Sequence, residues 1–166
     1  MEVRQMATVF LAHGGSMLMM KKSRSRWHPA EFWSGIGGHL EPAELNAPRE
    51  AAVRELFEET GLGESDIAGL TLRYVLLRLK DDEIRQQFVY FGEALTMSVT
   101  TSEEGELHWI SASEVTGLGV SVVIRRMLEH YFAGAAQDRI HTGILTMHNG
   151  VPAMAWSVLT DPGVFF

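Results

Sequence analysis

Apolar residues along the chain fall into two rhythms, one of strands and one of helices. Gln5 to Ala12 is rich in Val, Phe and Leu, and Met17 to Lys22 repeats that bias after the turn His13-Gly14-Gly15-Ser16, which predicts a strand hairpin. Leu70 to Lys80 and Ile84 to Thr96 form a second strand pair around Asp81-Asp82-Glu83. In the returning strand, Gln87, Val89 and Phe91 alternate with Phe88, Tyr90 and Gly92; so few polar positions predict cover on both faces. The helical rhythm is clearest at Val120, Val123, Ile124, Met127, Leu128 and Tyr131, one continuous apolar face from Val120 to Phe132 that covers the sheet. Ser113 to Val115 begins a short turn of helix. Ile140 to Met147 and Val151 to Leu159 flank His148-Asn149-Gly150, and Asn-Gly predicts a last hairpin, with Pro152 suited to an edge strand.

The stretch Gly37 to Leu62 carries the other helix. Asn46 stands where an N-cap belongs, Pro48 lies in the first turn and Gly61 just past the end. Ala51, Ala52, Val53, Leu56 and Phe57 supply its apolar side. Glu55, Glu58 and Glu59 fall three and four residues apart, within roughly a third of the circumference at about 100° per residue. Like charges at this spacing repel by about 0.2–0.5 kcal/mol per pair. A divalent cation turns that repulsion into coordination, and oxygen ligands suit Mg2+ or Mn2+. The plain alternative is a solvated acidic face. A Gly37-Gly38 turn ahead of the helix, with Glu41 and Glu44 beyond, tips the balance, because glycine lets backbone approach an ion or a phosphate closely.

Composition narrows the partners. The chain has 166 residues, 46 % of them hydrophobic, which suits one core. A net charge of −7 makes nucleic acid polymers and anionic lipid surfaces poor partners. There is no Cys, hence no disulfide, thiol nucleophile or thiolate metal site, and the seven His show no metal-ligand spacing. The N-terminus does not read as a signal peptide and no apolar run is long enough to span a membrane, so a cytoplasmic setting is the expectation.

The same residues resemble the signature of the Nudix hydrolases. Gly38 and Glu44 match its opening glycine and first glutamate. Arg54, Glu55, Leu56, Glu58, Glu59, Gly61 and Leu62 match its second half without a gap. Between Glu44 and Arg54 the chain is two residues longer than the signature, which leaves the helical spacing intact and the role of Glu44 open. The resemblance covers roughly residues 5–132. It implies an α/β (α+β) fold, the Nudix α/β/α sandwich with a mixed sheet, over residues 1–134, extended by a C-terminal β-hairpin over residues 135–166.

It also implies a reaction: metal-dependent hydrolysis of a nucleoside diphosphate linked to another group, with Mg2+ as cofactor and Mn2+ as substitute. The implied metal ligands are Glu55, Glu58 and Glu59, the backbone carbonyl of Gly37, and a Glu from the acidic loop Thr101 to Glu106. Glu104 is first choice there, ahead of Glu106 and Glu103. The implied base is Glu55 or Glu104, with Arg54 orienting the carboxylates. The basic loop Ser23 to Ala30, with Lys22, Arg24, Arg26 and His28 in or beside it, is a candidate for substrate phosphates. Trp33 reads as core before it reads as a base-stacking platform, and Trp109 as core.

Substrate marks are sparse. The Pro of ADP-ribose hydrolases is absent where Leu77 stands, and Arg78, Leu79 and Lys80 occupy the region of the Tyr typical of dinucleoside polyphosphate hydrolases. That leaves nucleoside triphosphates, oxidised ones such as 8-oxo-dGTP included, as the first expectation. Alternatives are a hydrolase of ADP-ribose or nucleotide-sugars and an inactive nucleotide-binding module. An isomerase of the isopentenyl diphosphate kind is disfavoured by the missing Cys. The last hairpin is open to extending the sheet, capping the pocket or joining a homodimer.

Overall fold

The computed structural model describes residues 1–22, 31–134 and 138–163. Among these residues nine strands form one mixed sheet: β1 (Glu2–His13), β2 (Ser16–Lys22), β3 (Phe32–Ser34), β4 (Ile36–His39), β5 (Ile67–Lys80), β6 (Glu83–Ala94), β7 (Gly105–Ser111), β8 (His141–His148) and β9 (Val151–Val158). Two helices, α1 (Pro48–Thr60) and α2 (Val122–Phe132), cover its faces. The main path runs β3-β2-β1-β6-β5-β8-β9, with β4 paired to β1 and β7 to β2. The pairs β1/β6 and β5/β8 are parallel and the rest antiparallel, so the sheet is mixed as expected.

Strand alternation splits the interior into two cores. Phe10, Met17, Met19, Tyr74, Val89 and Phe91 face α2, which contributes Val123, Ile124, Met127 and Leu128. Val9, Leu11, Leu18, Met20, Ile36 and Tyr90 face α1, which contributes Ala51, Ala52 and Leu56. Neighbours in sequence therefore serve opposite faces, and β6 is covered on both, as its continuous apolar run predicts. The helix ends are conventional. Ser121 Oγ accepts from the Ile124 amide at the start of α2. Gly61 at φ 75° closes α1, its amide donating to the Phe57 carbonyl.

Three local expectations are corrected. The residue capping α1 is Ala47, not Asn46, and makes no side-chain cap; Pro48 at the first helical position needs no amide partner. Phe57 is not on the apolar side but 61 % exposed, while Glu59 and Thr60 are buried in its stead. Gly37 and Gly38 do not form a turn: they are strand residues of β4, opposite Thr8 and Ala7. The chain reverses after them, through a 3-10 turn at Pro42–Glu44. The predicted hairpin of β1 and β2 is present, paired beside its turn at Ala12/Met17 and His13/Ser16, beyond which the strands part to admit β4 and β7.

The C-terminal hairpin extends the sheet. Asn149 and Gly150, at φ 51° and 77°, make the left-handed two-residue turn their sequence predicts. β8 adds parallel to β5, Pro152 lies on the edge strand β9, and Trp156 packs against the α2-side core. The Trp156 indole lies over Gly143, where a Cβ has no room, and stacks on His130 at 4.2 Å. Tyr74 Oη and His130 Nδ1 are hydrogen-bonded at 3.0 Å, and His141 is buried beside them, so these two histidines pack with the tyrosine.

Candidate active site

The site is built on the contact of α1 with β4. Gly37 lies so close to β1 that an added Cβ would collide with the Ala7 carbonyl and lie 2.8 Å from the Thr8 Cα; its φ of 147° also favours glycine. A Cβ on Gly38 would lie 2.6 Å from Glu55 Oε1. The two glycines thus let the helix set its carboxylates directly against strand backbone. Glu59, 4 % exposed, accepts from the Gly37 amide at 2.9 Å. The contact observed at Gly37 is therefore through its N–H.

Arg54 ties the acidic groups together. Its Nε and Nη2 donate to the two oxygens of Glu44 at 2.7 and 2.9 Å, its Nη1 to Glu55 at 2.9 Å and Glu58 at 3.0 Å, and Nη2 also to the His39 carbonyl at 3.2 Å. The two extra residues before the helix are absorbed in the loop after Glu44, and Glu44 becomes the bidentate partner of the guanidinium. The hydrogen bond from Arg54 holds the Glu44 carboxyl below its usual range, and Glu44 in turn raises Arg54. Glu55 and Glu59 go the other way. Burial pushes both up, against the pull of Arg54 on Glu55 and of Lys22 and the Gly37 amide on Glu59.

Glu55, Glu59 and Glu104 line one recess with Arg54, Lys22 and Gly37. Lys22 Nζ bridges it, 3.4 Å from Glu59 Oε1 and 3.2 Å from Glu104 Oε2. Glu58 stands at the rim, 56 % exposed and paired with Arg54. Glu106 pairs instead with His108 at 3.2 Å. Among the described residues no three Asp, Glu or His side chains converge as a finished ion cage. The donors nonetheless fit a hard divalent ion in kind: all are oxygens, one carboxylate, Glu59, is buried and another, Glu55, half-buried, and a lysine ammonium is the cation that bridges Glu59 and Glu104.

Beside this recess, and sharing Lys22, Gly37 and His39 with it, lies a cleft of ≈ 400 Å³. Phe32 and Trp33 stand on its wall, and Ser121, Val123 and Ile124 of α2 close one side. Trp33 is half-buried against the α2-side core with its ring edge-on to His108, so it is both a core residue and a cleft residue. Trp109 is half-buried on the α1 side, its Nε1 donating to the Met97 carbonyl. The described cleft wall carries Arg4, Lys22, Arg78, Lys80 and Arg85 and no Asp or Glu. Of the expected phosphate-binding loop, Ser23 to Ala30 lies outside the described residues. Sequence reading missed Arg4, Arg78 and Arg85. The two-residue turn at Asp81-Asp82 already placed Arg78 opposite Arg85, which was the available signal.

Comparison with known proteins agrees with the sequence signature. A crystal structure of the mutator MutT protein from Bacillus halodurans superposes with a TM-score of 0.73 at 19 % identity, over 96 % of this chain and 99 % of that one. The MutT protein from Methanosarcina mazei gives 0.68 at 19 % identity, over 82 % and 97 %. An Ap4A hydrolase from C. elegans gives 0.64 at 16 % identity, over 82 % and 98 %. At such identities these structures speak for the fold. The family model for the NUDIX domain matches residues 2–131, so the chain belongs to the Nudix family.

Proposed function

We propose that the protein is a divalent-metal-dependent hydrolase that cleaves the diphosphate linkage of a nucleoside diphosphate-X compound. The observation that carries this reading is the pairing of the Glu55–Glu59 recess with a cleft whose described charged residues are all cationic. Nudix hydrolases in general use divalent metal ions and act on small nucleotides. Glu55, Glu58, Glu59 and Glu104, with the Gly37 backbone, would hold the ion, Mg2+ in the first place with Mn2+ as substitute. When bound, it supplies neutralisation of phosphate charge and Lewis acidity.

The remaining work falls to the chain. Water adds to phosphorus and the bridging P–O bond breaks, leaving two phosphorylated products. Glu55, whose carboxyl burial pushes up from its usual range, or Glu104 across the recess accepts the proton of the attacking water. Arg54 fixes Glu55 and Glu58 in orientation through its fork, itself anchored on Glu44. Lys22, already bridging Glu59 and Glu104, moves to substrate phosphate once those carboxylates are otherwise neutralised. Nucleoside triphosphates, oxidised ones among them, yielding monophosphate and pyrophosphate, are the first substrates to try. A cytoplasmic setting and a homodimer belong to the same reading, the dimer testable by sedimentation.

The test is a phosphate-release screen with Mg2+ or Mn2+ over nucleoside triphosphates, 8-oxo-dGTP, ADP-ribose, dinucleoside polyphosphates and nucleotide-sugars. Glu59→Gln runs alongside. Hydrolysis of one class, reduced at least about 100-fold in the variant with its fold intact, is expected from losing one anchored charge at the reacting centre. Turnover by Glu59→Gln near the wild-type rate overturns the metal assignment. Thermal shifts by nucleotides without turnover of any would point to a binding module.

A further inference from the structure

Three arginines stand side by side across the sheet. Arg4 of β1 is the register partner of Arg85 of β6, and Arg85 is the partner of Arg78 of β5. Neighbouring strands are about 4.8 Å apart, so three guanidinium groups issue from a row about 10 Å long. All three line the cleft, and Lys80 lines it beside them. Like charges directly opposite one another in a sheet are unfavourable. One carboxylate offsets the row: Glu83 meets Arg4 Nε at 2.8 Å and Arg85 Nε at 2.5 Å. Asp81 and Asp82 line an adjoining depression at the sheet's end that shares Lys80 and Arg85 with the cleft, with Asp82 facing the N-terminal amine at 3.6 Å.

Arg78 is the outlier. Its guanidinium has no hydrogen-bond or ion-pair partner among the described residues, although the side chain is half-buried. Burial lowers its pKa and Arg85 adds to that effect, with the more distant charge of Glu83 opposing both. A partly desolvated guanidinium with no partner, in a row of like charge, is unfavourable unless an anion completes it. A second incomplete group lies on the same wall: the Ser34 Oγ is buried and without a hydrogen-bond partner among the described residues.

The row is displaced from the reacting centre. Thr8 is the strand partner of Gly37, and Arg4 lies four residues back along β1. At about 3.3 Å per residue the backbone of the row lies about 13 Å from Gly37, so its guanidinium groups can meet an oxyanion beyond the diphosphate that would lie at Gly37 and Lys22. We propose that the cleft is a two-anion site: its Arg4–Arg85–Arg78 row binds a second oxyanion, a phosphate or a carboxylate, carried by the substrate at a distance from the scissile diphosphate. This rests on the hydrolase reading and narrows it. A nucleoside diphosphate-X with a further acidic group is preferred over a plain triphosphate, whose charges lie all at one end. Arginine suits the role because its fork pairs with two oxygens of one anion.

Two substrate pairs that differ in one oxyanion test this. NADP+ against NAD+ adds a phosphate on the sugar, and UDP-glucuronate against UDP-glucose exchanges a hydroxymethyl for a carboxylate. Both kcat/KM and binding, by calorimetry, are measured for wild type, Arg78→Gln and Arg78→Lys, with melting temperatures to show that the variants fold. The acidic member of at least one pair is expected to be favoured about ten- to a hundredfold, the loss typical of one charge-assisted contact. The pair that responds tells phosphate from carboxylate. The ratio falls to within about threefold in Arg78→Gln and partly returns in Arg78→Lys, which keeps charge without the fork. Ratios near one for both pairs in wild type, or a ratio unchanged in Arg78→Gln, overturn the proposal. A binding ratio that Arg78→Gln abolishes, with no turnover of any compound, upholds the two-anion site and overturns hydrolysis. Turnover with ratios near one does the reverse.

Discussion

The two faces of the sheet hold their helices by different means. On one face α2 is fixed by an uninterrupted apolar stripe, with Val123, Ile124, Met127 and Leu128 set against Phe10, Tyr74, Val89 and Phe91. On the other, α1 brings small residues, Ala51 and Ala52, and one large aliphatic, Leu56, while Glu59 is buried in the same helix. What α1 lacks in apolar contact is made up by close backbone approach at Gly37, whose amide donates to Glu59, and by the bonds of Arg54 to Glu44 and to the His39 carbonyl. A helix that must present buried carboxylates cannot also bury a full apolar stripe, so its position is set by directional contacts. Such contacts fix an orientation more narrowly than dispersion does, and a proposed catalytic helix needs orientation.

Gly37→Ala strikes the directional face hardest. Its Cβ would meet the Ala7 carbonyl and the Thr8 Cα, neither of which can move without opening the β1/β4 pair. Overpacking and a strained φ together are expected to cost up to about 6 kcal/mol. Urea denaturation is the measurement; a loss below about 1 kcal/mol would mean that β4 is not held rigidly on β1.

Met127→Ala is the counterpart on the apolar face. Met127 is fully buried, and its truncation is expected to cost about 3 kcal/mol of stability. Activity per folded molecule should be kept, because nothing in the carboxylate recess leans on it. Loss of activity without loss of stability would show that the two faces are coupled.

The smallest effect sharpens the comparison by pH. Burial first, and the neighbouring His141 second, lower the His130 pKa from 6.5. The fold therefore favours the neutral ring, packed on Trp156 and hydrogen-bonded to Tyr74. Its contribution is full above the unfolded value and is lost as pH falls from there through the lower folded value. Wild type should lose more of its urea midpoint between about pH 7.5 and about pH 5.5 than His130→Phe does, since the variant keeps the stack and removes the titration. Equal losses would place the acid sensitivity elsewhere.

Much of this was legible along the chain, for reasons that differ by residue. The α2 stripe and the Asn149-Gly150 turn are local: a period or a dipeptide suffices, because the nearest neighbours in sequence are also neighbours in space. The carboxylate spacing of Glu55, Glu58 and Glu59 is likewise set by helix geometry alone. Asn46 misled because a good capping residue is useless one position too early, and Phe57 because Glu59, anchored on the Gly37 amide, took the inward position. The Gly37-Gly38 pair misled for a related reason. Glycine signals freedom from a side chain, and whether that freedom serves a turn or a close strand depends on what lies opposite.

The sequence by itself determined the two long strand pairs, the apolar stripe of α2, the signature helix with its acidic face, the absence of any thiol and the last hairpin. Those features follow from periodicity and composition, which need no knowledge of distant residues. Only the tertiary structure decided that Glu44 serves Arg54, that Lys22 bridges Glu59 and Glu104, that the last hairpin lengthens the sheet, and that Arg4, Arg85 and Arg78 stand in one row. Each of these joins residues whose encounter depends on strand register or on the parting of β1 from β2. Register is fixed by the summed burial of both sheet faces, a quantity no single segment carries.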